Sequence, residues 1–361
     1  MVPKTTVTGA MFTMLLSVGL TNHVLLIPIL LQDGKRDAWI GVLVAIAASL
    51  IWMLFVHWIM KKTEYRPMRD WIREQYGAWI TNVMFYVLAL LFYFLMFLSL
   101  ARFVIWIKIT YLLNTPTMII LLFLVALCVY IANNRLTSIG IMASVLLPMV
   151  WVLGMLVSLG NMKYKNYDLL MPILSEGYGP VVKSTVITLG GLFQLIILPF
   201  VQHHLEARFN RRTLLLLAVL LGGLTIGPLM GAISAYGPVI AATMSYPAFE
   251  QWQLFSITQY ISHTDFLALF QWISGLVIQT SLYFHLIAEC AIGSKRRPAI
   301  ILVILGAVTI ASFKIPLLLK WLQMFMNQYY AYFFFWFFLA LSLLLFLMIC
   351  VKTFGKEVNA E

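Results

Sequence analysis

The sequence predicts an all-α integral membrane protein with ten transmembrane helices. Three observations carry this expectation. Of 361 residues, 62% are hydrophobic and only 10% are charged, where a soluble globular domain carries roughly 25% charged residues. The apolar residues gather into runs close to or above the ~20 residues that one bilayer crossing needs. Lys and Arg flank these runs instead of interrupting them. At that span length there is room for about ten crossings and no large soluble domain, so residues 1–361 read as a single polytopic membrane domain.

The expected spans, in order, are 7–31, 38–60, 78–108, 115–132, 138–160, 183–203, 213–235, 266–292, 298–313 and 329–351, with helices one to five over about 7–160 and six to ten over about 183–351. The first run, Val7 to Leu31, is too long for a signal-peptide core and no small-residue cleavage pattern follows it, so it is read as a retained helix. The ninth is short. Placing the N-terminus inside puts Lys4, Lys61, Lys62, Arg66, Arg69, Arg73, Arg135, Arg208, Arg211, Arg212, Lys295, Arg296, Arg297, Lys352 and Lys356 on the cytoplasmic side, 15 of the 24 Lys and Arg. The positive-inside rule then places both termini in the cytoplasm, as an even number of spans requires.

Two external connections are more than linkers. Residues 161–182 hold Asn166–Pro172 and Gly177–Pro180, a turn-rich ordered loop. In 244–264, Pro247 can open a helix whose apolar side, Phe249, Trp252, Leu254, Phe255 and Ile257, lies on the membrane surface or caps an external vestibule. Residues 314–328 form a weaker amphipathic stretch.

Several classes are excluded. Cys128, Cys290 and Cys350 are odd in number and sit in apolar segments, against a disulfide framework or a zinc cluster. The net charge of +11 comes from residues flanking spans, not from one basic patch, so no nucleic-acid partner is expected. There is no nucleotide-binding glycine loop, no nucleophile elbow and no mid-membrane carboxylate pair, so neither an enzyme nor a cofactor is expected. His203-His204 are adjacent on a helix and should point to different faces, a poor metal site.

What remains is a paired irregularity. Gly19-Leu-Thr-Asn-His-Val-Leu-Leu-Ile-Pro28 lies in the first run, and Gly190-Gly-Leu-Phe-Gln-Leu-Ile-Ile-Leu-Pro199 lies in the sixth, 171 positions later. Each has glycine and small or polar residues at mid-span and a proline nine residues after its first glycine. Helices are usually broken in hydrocarbon only where they line a cavity, and paired interruptions in corresponding halves point to the solute site of an inverted-repeat transporter fold. Ser17, Gly19, Thr21 and Asn22 in the first run, and Gly190, Gly191, Phe193 and Gln194 in the sixth, are the expected ligand-binding residues, with Tyr93 and Tyr283 facing them. If the first helix unwinds, the free amides near Asn22 would favour an anionic group such as a carboxylate. A glycine-lubricated helix crossing is the alternative. In the eighth run Ser281, His285 and Glu289 share a face. Glu289 is expected to pair with the Lys295–Arg297 loop at the interface, and His285 is either a buried neutral histidine or a proton carrier. Arg102 and Lys108 are expected to snorkel to the external interface.

With these residues in place the chain resembles the B subunit of GerA-type spore germinant receptors, a branch of the amino acid–polyamine–organocation transporter superfamily. The likeness is spread over Asp37-Ala-Trp-Ile40 after the first helix, Gly177-Tyr-Gly-Pro180 before the sixth, and Tyr246-Pro247, Glu250, Ser256-Ile257, Asp265 and Trp272 leading into the eighth. The resemblance implies a 5+5 inverted repeat with broken helices 1 and 6 (LeuT-like). It also implies a small nutrient germinant such as an amino acid, the inner membrane of a dormant spore, and A and C subunits as partners. Two departures stand out. Gln194 replaces an acid that related B subunits often carry, and 138–160 lacks the lysine that some proton-coupled relatives use in place of sodium. A proton- or cation-coupled amino acid transporter is the other functional expectation.

Overall fold

The computed structural model of the protein describes residues 4–256, 264–292 and 299–358. Thr6 caps α1 (Val7–Leu20), its Oγ1 accepting the Gly9 N–H at 2.9 Å. The helix runs on through a π-helical turn, Thr21–Leu26, into α2 (Ile27–Gly34), and a 3-10 turn, Lys35–Asp37, leads to α3 (Ala38–Lys62). In α4 (Met68–Thr110) Gly77 has φ 84° and ψ 172°, a backbone that glycine alone takes without steric cost. It sets the charged lead-in, with Arg69, Asp70, Arg73 and Glu74, at a break from the apolar part. α5 (Thr117–Asn133) and α6 (Arg135–Gly160) follow.

The second half begins with α7 (Gly179–Leu192), a 3-10 segment Phe193–Ile197, the short α8 (Leu198–Val201) and a 3-10 turn Gln202–His204. Asn210 caps α9 (Arg211–Tyr236), accepting the Thr213 N–H at 2.8 Å, and α10 (Pro238–Ala241) succeeds it. α11 (Pro247–Leu254) lies in the loop before α12 (Phe266–Ile292). α13 (Ala299–Ser312), α14 (Pro316–Gln328) and α15 (Tyr330–Val358) complete the chain.

Each expected span falls on helix, but length and apolarity divide the helices differently. Seven stretches among the described residues suffice on their own, and one of these, Val7–Lys62, holds 56 residues, more than twice what a single crossing needs. Thr117–Asn133 is apolar but shorter, and α13 and α14 form a pair bent by 89°. Large apolar side chains cover the outer surface. Trp79 is 78% exposed, Phe123 73% and Ile300 77%. Apolar area on this scale is a liability in water and is at home against lipid tails, so the protein is a multi-pass membrane protein.

Packing puts the two interrupted helices at the centre. α1 lies against α6 and α12, α2 against α7, and α7 against α3 and α15. α7–α8 is the most buried of the spanning stretches. At one end of the bundle the chain ahead of α1 is tied to the exit of α8. Thr5 N–H donates to His204 O at 2.9 Å and Glu206 N–H to Thr5 O at 3.0 Å, a parallel bridge of Thr5 to Leu205. Nearby, buried Gln202 donates from Nε2 to Thr63 Oγ1 (3.1 Å) and Arg66 O (2.9 Å). Gln202→Leu strands both acceptors and should destabilise the protein by about 1–3 kcal/mol. A lowered thermal unfolding midpoint in detergent checks this.

At the opposite end the expected loop helix exists, and it packs inward. Phe249 meets Trp106 edge-on at 5.0 Å, and Trp106 lies 4.4 Å from Trp272 and 6.3 Å from Tyr246, centroid to centroid. Gln251 Nε2 donates to Pro228 O at 3.1 Å, and Trp252 Nε1 to Gln271 Oε1 at 2.9 Å. α11 therefore caps the bundle and does not lie on the membrane surface; Ile257 is outside the described residues. Tyr111 donates to Asp265 Oδ2 at 2.8 Å, and burial, reinforced by that carboxylate, pushes its phenol far above the ordinary range, so it remains a donor. The 161–182 loop is fastened by Asn166 N–H to Ser234 O (2.8 Å) and Leu174 N–H to Asp37 Oδ1 (3.1 Å).

Candidate functional site

Both irregular segments sit directly upstream of a proline. Pro28 and Pro199 have no N–H, and each ring crowds the carbonyl four residues back, that of Val24 or Leu195. The first helix meets this by widening into the π turn Thr21–Leu26, the second by tightening into the 3-10 segment Phe193–Ile197. Neither helix is unwound there. Leu20, Thr21 and Ile27 keep right-handed helical dihedrals, as do Leu192, Phe193 and Leu198. The open, anion-seeking amides expected near Asn22 are thus absent, because the hydrogen-bond step changes without the chain leaving the helix.

The change of step alters carbonyl partners. Thr21 N–H turns to Val18 O, and Ser17 O accepts from Gln279 Nε2 of α12 at 2.9 Å. The same nitrogen donates to Thr21 Oγ1, also at 2.9 Å. One amide on α12 thereby holds the entrance of the π turn.

Around it gathers a buried polar cluster. Ser17, Thr21, Asn22, Gln194, Gln279 and Tyr283 are all at most 1% exposed. Tyr283, one helical turn beyond Gln279, lies beside Ser17 and Gln279, with its ring stacked on Phe92 at 5.8 Å. Tyr330, at the head of α15, lies beside Thr21 and Gln194 and is within electrostatic reach of Arg102. Asn22 is pressed against Gly191, where a Cβ would fall 2.1 Å from its Oδ1. Both polar atoms of Asn22 are without a hydrogen-bond partner among the described residues, while Ser17 Oγ, the Gln194 amide and the Tyr283 hydroxyl make only poorly aligned contacts, Tyr283 with Ser17 and Gln279 and Tyr330 with Gln194. Buried polar groups are rarely left so poorly paired.

The other expected residues are elsewhere. Gly19 faces α9, its would-be Cβ 3.0 Å from Leu224 Cδ1, and Gly190 faces α15, 2.7 Å from Ala331 O. Phe193 is stacked between Trp52 (4.5 Å) and Phe335 (5.8 Å). Tyr93 packs on Phe97, its hydroxyl 3.4 Å from Ser312 Oγ. Gly19, Gly190 and Phe193 therefore serve helix contacts, and Tyr93 points to α13. Ser17, Thr21, Asn22, Gly191, Gln194 and Tyr283 come together.

The model of a family described as "Spore germination protein" matches residues 4–316 of the chain. The chain belongs to this family. It is 34% identical over 281 residues to Spore germination protein XB of Bacillus anthracis, covering 78% of this chain and 79% of that one. It is also 26% identical over 304 residues to Putative spore germination protein YfkT of Bacillus subtilis (strain 168), covering 80% and 79%.

In this spore germination protein, the sequence pattern missed Gln279 and Tyr330 as site residues. Gln279 is one turn from Tyr283, and that i, i+4 pair was the available signal. Tyr330 opens a span, where a tyrosine reads as part of an interfacial aromatic belt. Of the two basic residues on α4, Lys108 donates to Leu113 O and to Thr115 O (2.7 Å), while Arg102 lies 5.8 Å over the Tyr246 ring.

The histidine pair also departs from expectation. His203 Nε2 is 2.8 Å from Glu289 Oε1, and His204 Nε2 is 2.9 Å from Oε2. Both histidines lie within the 3-10 turn Gln202–His204, and their side chains nevertheless converge on one carboxylate. The two rings lie 3.9 Å apart, centroid to centroid. Glu289 is engaged by these histidines; the Lys295–Arg297 loop lies outside the described residues.

Proposed function

We propose that this protein is the membrane subunit of a nutrient germinant receptor. It binds a small germinant of amino-acid type in the buried cluster between α1, α7, α12 and α15, and binding triggers spore germination. The carrying observation is the set of unpaired or poorly paired buried polar groups of Ser17, Asn22, Gln194 and Tyr283 at the level where two central helices change step. Leaving such groups dry and unpaired costs about 1–3 kcal/mol each. A ligand offering matching donors and acceptors removes that cost in whichever conformation aligns them, and such differential affinity is what shifts an equilibrium.

The reading extends to the whole chain, taken as one polytopic domain of ten spans in a 5+5 inverted repeat. It sits in the inner spore membrane with both termini cytoplasmic, alongside A and C subunits, and it binds and signals without catalysing a reaction. The lack of an acid at Gln194 and of a lysine in 138–160 supports sensing over ion-coupled uptake. The second reading, a proton- or cation-coupled amino acid transporter, draws on the two interrupted central helices. In liposomes holding the protein alone, nutrient should bind and concentrative uptake should be negligible. Robust gradient-driven accumulation would decide for the transporter.

A further inference from the structure

Away from the polar cluster, at the end of the bundle that the Lys and Arg pattern assigns to the cytoplasm, four titratable side chains from two distant parts of the chain meet. His203 and His204 come from the turn that ends the second interrupted helix. His285 and Glu289 come from successive turns of α12. One ligand atom each from His203, His204 and Glu289 lies within 4.8 Å of the others. The carboxylate spans the pair, one oxygen to each imidazole Nε2 at 2.8 and 2.9 Å. His285 Nε2 is 3.8 Å from Glu289 Oε2.

Two features separate this from an ordinary ion pair. The His203–Glu289 contact is short yet poorly aligned as a hydrogen bond, and neither nitrogen of His285 makes a well-aligned one. Three imidazoles also crowd a single carboxylate. Arg69, the cation next to this end of α12, is turned to Cys290 O and, at 3.0 Å, to Asn82 Oδ1.

We infer that His203, His204 and Glu289 form a binding site for a divalent transition-metal ion of zinc-like chemistry, with His285 in reach as a fourth ligand. Two histidines and one glutamate are a donor set that Zn²⁺ takes, at about 2.0–2.2 Å per ligand. Tetrahedral geometry then requires donor separations near 3.3 Å; the two His–Glu289 contacts, at 2.8 and 2.9 Å, need to open slightly, and the three ligand atoms already lie within 4.8 Å of one another. Imidazole donors favour Zn²⁺, Ni²⁺ or Co²⁺ over Mg²⁺ or Ca²⁺. All three histidines and Glu289 are partly shielded, and none is sealed off: side-chain exposure runs from 10% for His285 to 22% for His204. The bound ion would join the end of the second interrupted helix to α12 by coordinate bonds.

The test is metal binding by the full-length protein, purified in detergent and stripped with a chelator. Titrated with Zn²⁺ it should take up one equivalent and unfold at a higher temperature, with no such rise for Mg²⁺. Co²⁺ should give the visible absorption of a tetrahedral site. Glu289→Gln and His203→Ala should each weaken Zn²⁺ binding at least tenfold, while His57→Ala, on α3, should leave it unchanged. In case the variants fold poorly, wild-type protein supplies an independent measure, since Zn²⁺ should slow diethylpyrocarbonate modification of His203 and His204, read by mass spectrometry. Absence of stoichiometric uptake, or equal modification rates with and without Zn²⁺, would overturn the proposal.

Discussion

Replacing Gly191 with valine is expected to abolish the nutrient response while the protein remains in the membrane. The position has no room for a side chain. A Cβ there would lie 2.1 Å from Asn22 Oδ1 and 2.6 Å from Leu26 Cδ1, far inside van der Waals contact. A branched residue must drive Asn22 away from the cluster, taking with it two unpartnered polar atoms. Gly191→Ala should act in the same direction more mildly, raising the half-maximal nutrient concentration about tenfold, equivalent to about 1.4 kcal/mol. Dose–response curves of spores carrying each variant, with membrane abundance checked by immunoblot, measure the effect. An unshifted curve for the valine variant would place the ligand elsewhere. Gly19 is a weaker probe, since leucine there first meets Leu224 of α9 and would report on helix packing.

The second large effect is expected at Gln279. Its Nε2 satisfies Ser17 O, the carbonyl left behind when the first helix changes step, and also binds Thr21 Oγ1. Leucine fills nearly the same volume and donates nothing. Leaving buried acceptors unpaired costs about 1–3 kcal/mol, and in hydrocarbon no water can take over. Gln279→Leu should therefore lower the thermal midpoint and, by releasing the π turn beside Asn22, weaken the nutrient response at the same time. Loss of stability with an intact response would mean that the turn does not position the ligand.

Much of this was legible in the sequence. The prolines and glycines marked where two spans depart from α-helix, and Ser17, Thr21, Asn22, Gln194 and Tyr283 were all named from pattern alone. What the pattern could not carry was the manner of departure. A proline removes one hydrogen bond, but whether the helix unwinds, widens or tightens depends on which neighbour takes the freed carbonyl. Here that neighbour is Gln279, 262 residues from Ser17. The histidine pair was misread because backbone position sets only where each side chain starts, while the two imidazoles of the turn Gln202–His204 reach the same carboxylate of α12.

The Thr5–Leu205 bridge has a mechanical consequence. The segment entering the first central helix and the segment leaving the second are stitched together by two backbone hydrogen bonds. A swing of either helix at that end must carry the other with it or break those bonds, at about 1 kcal/mol each.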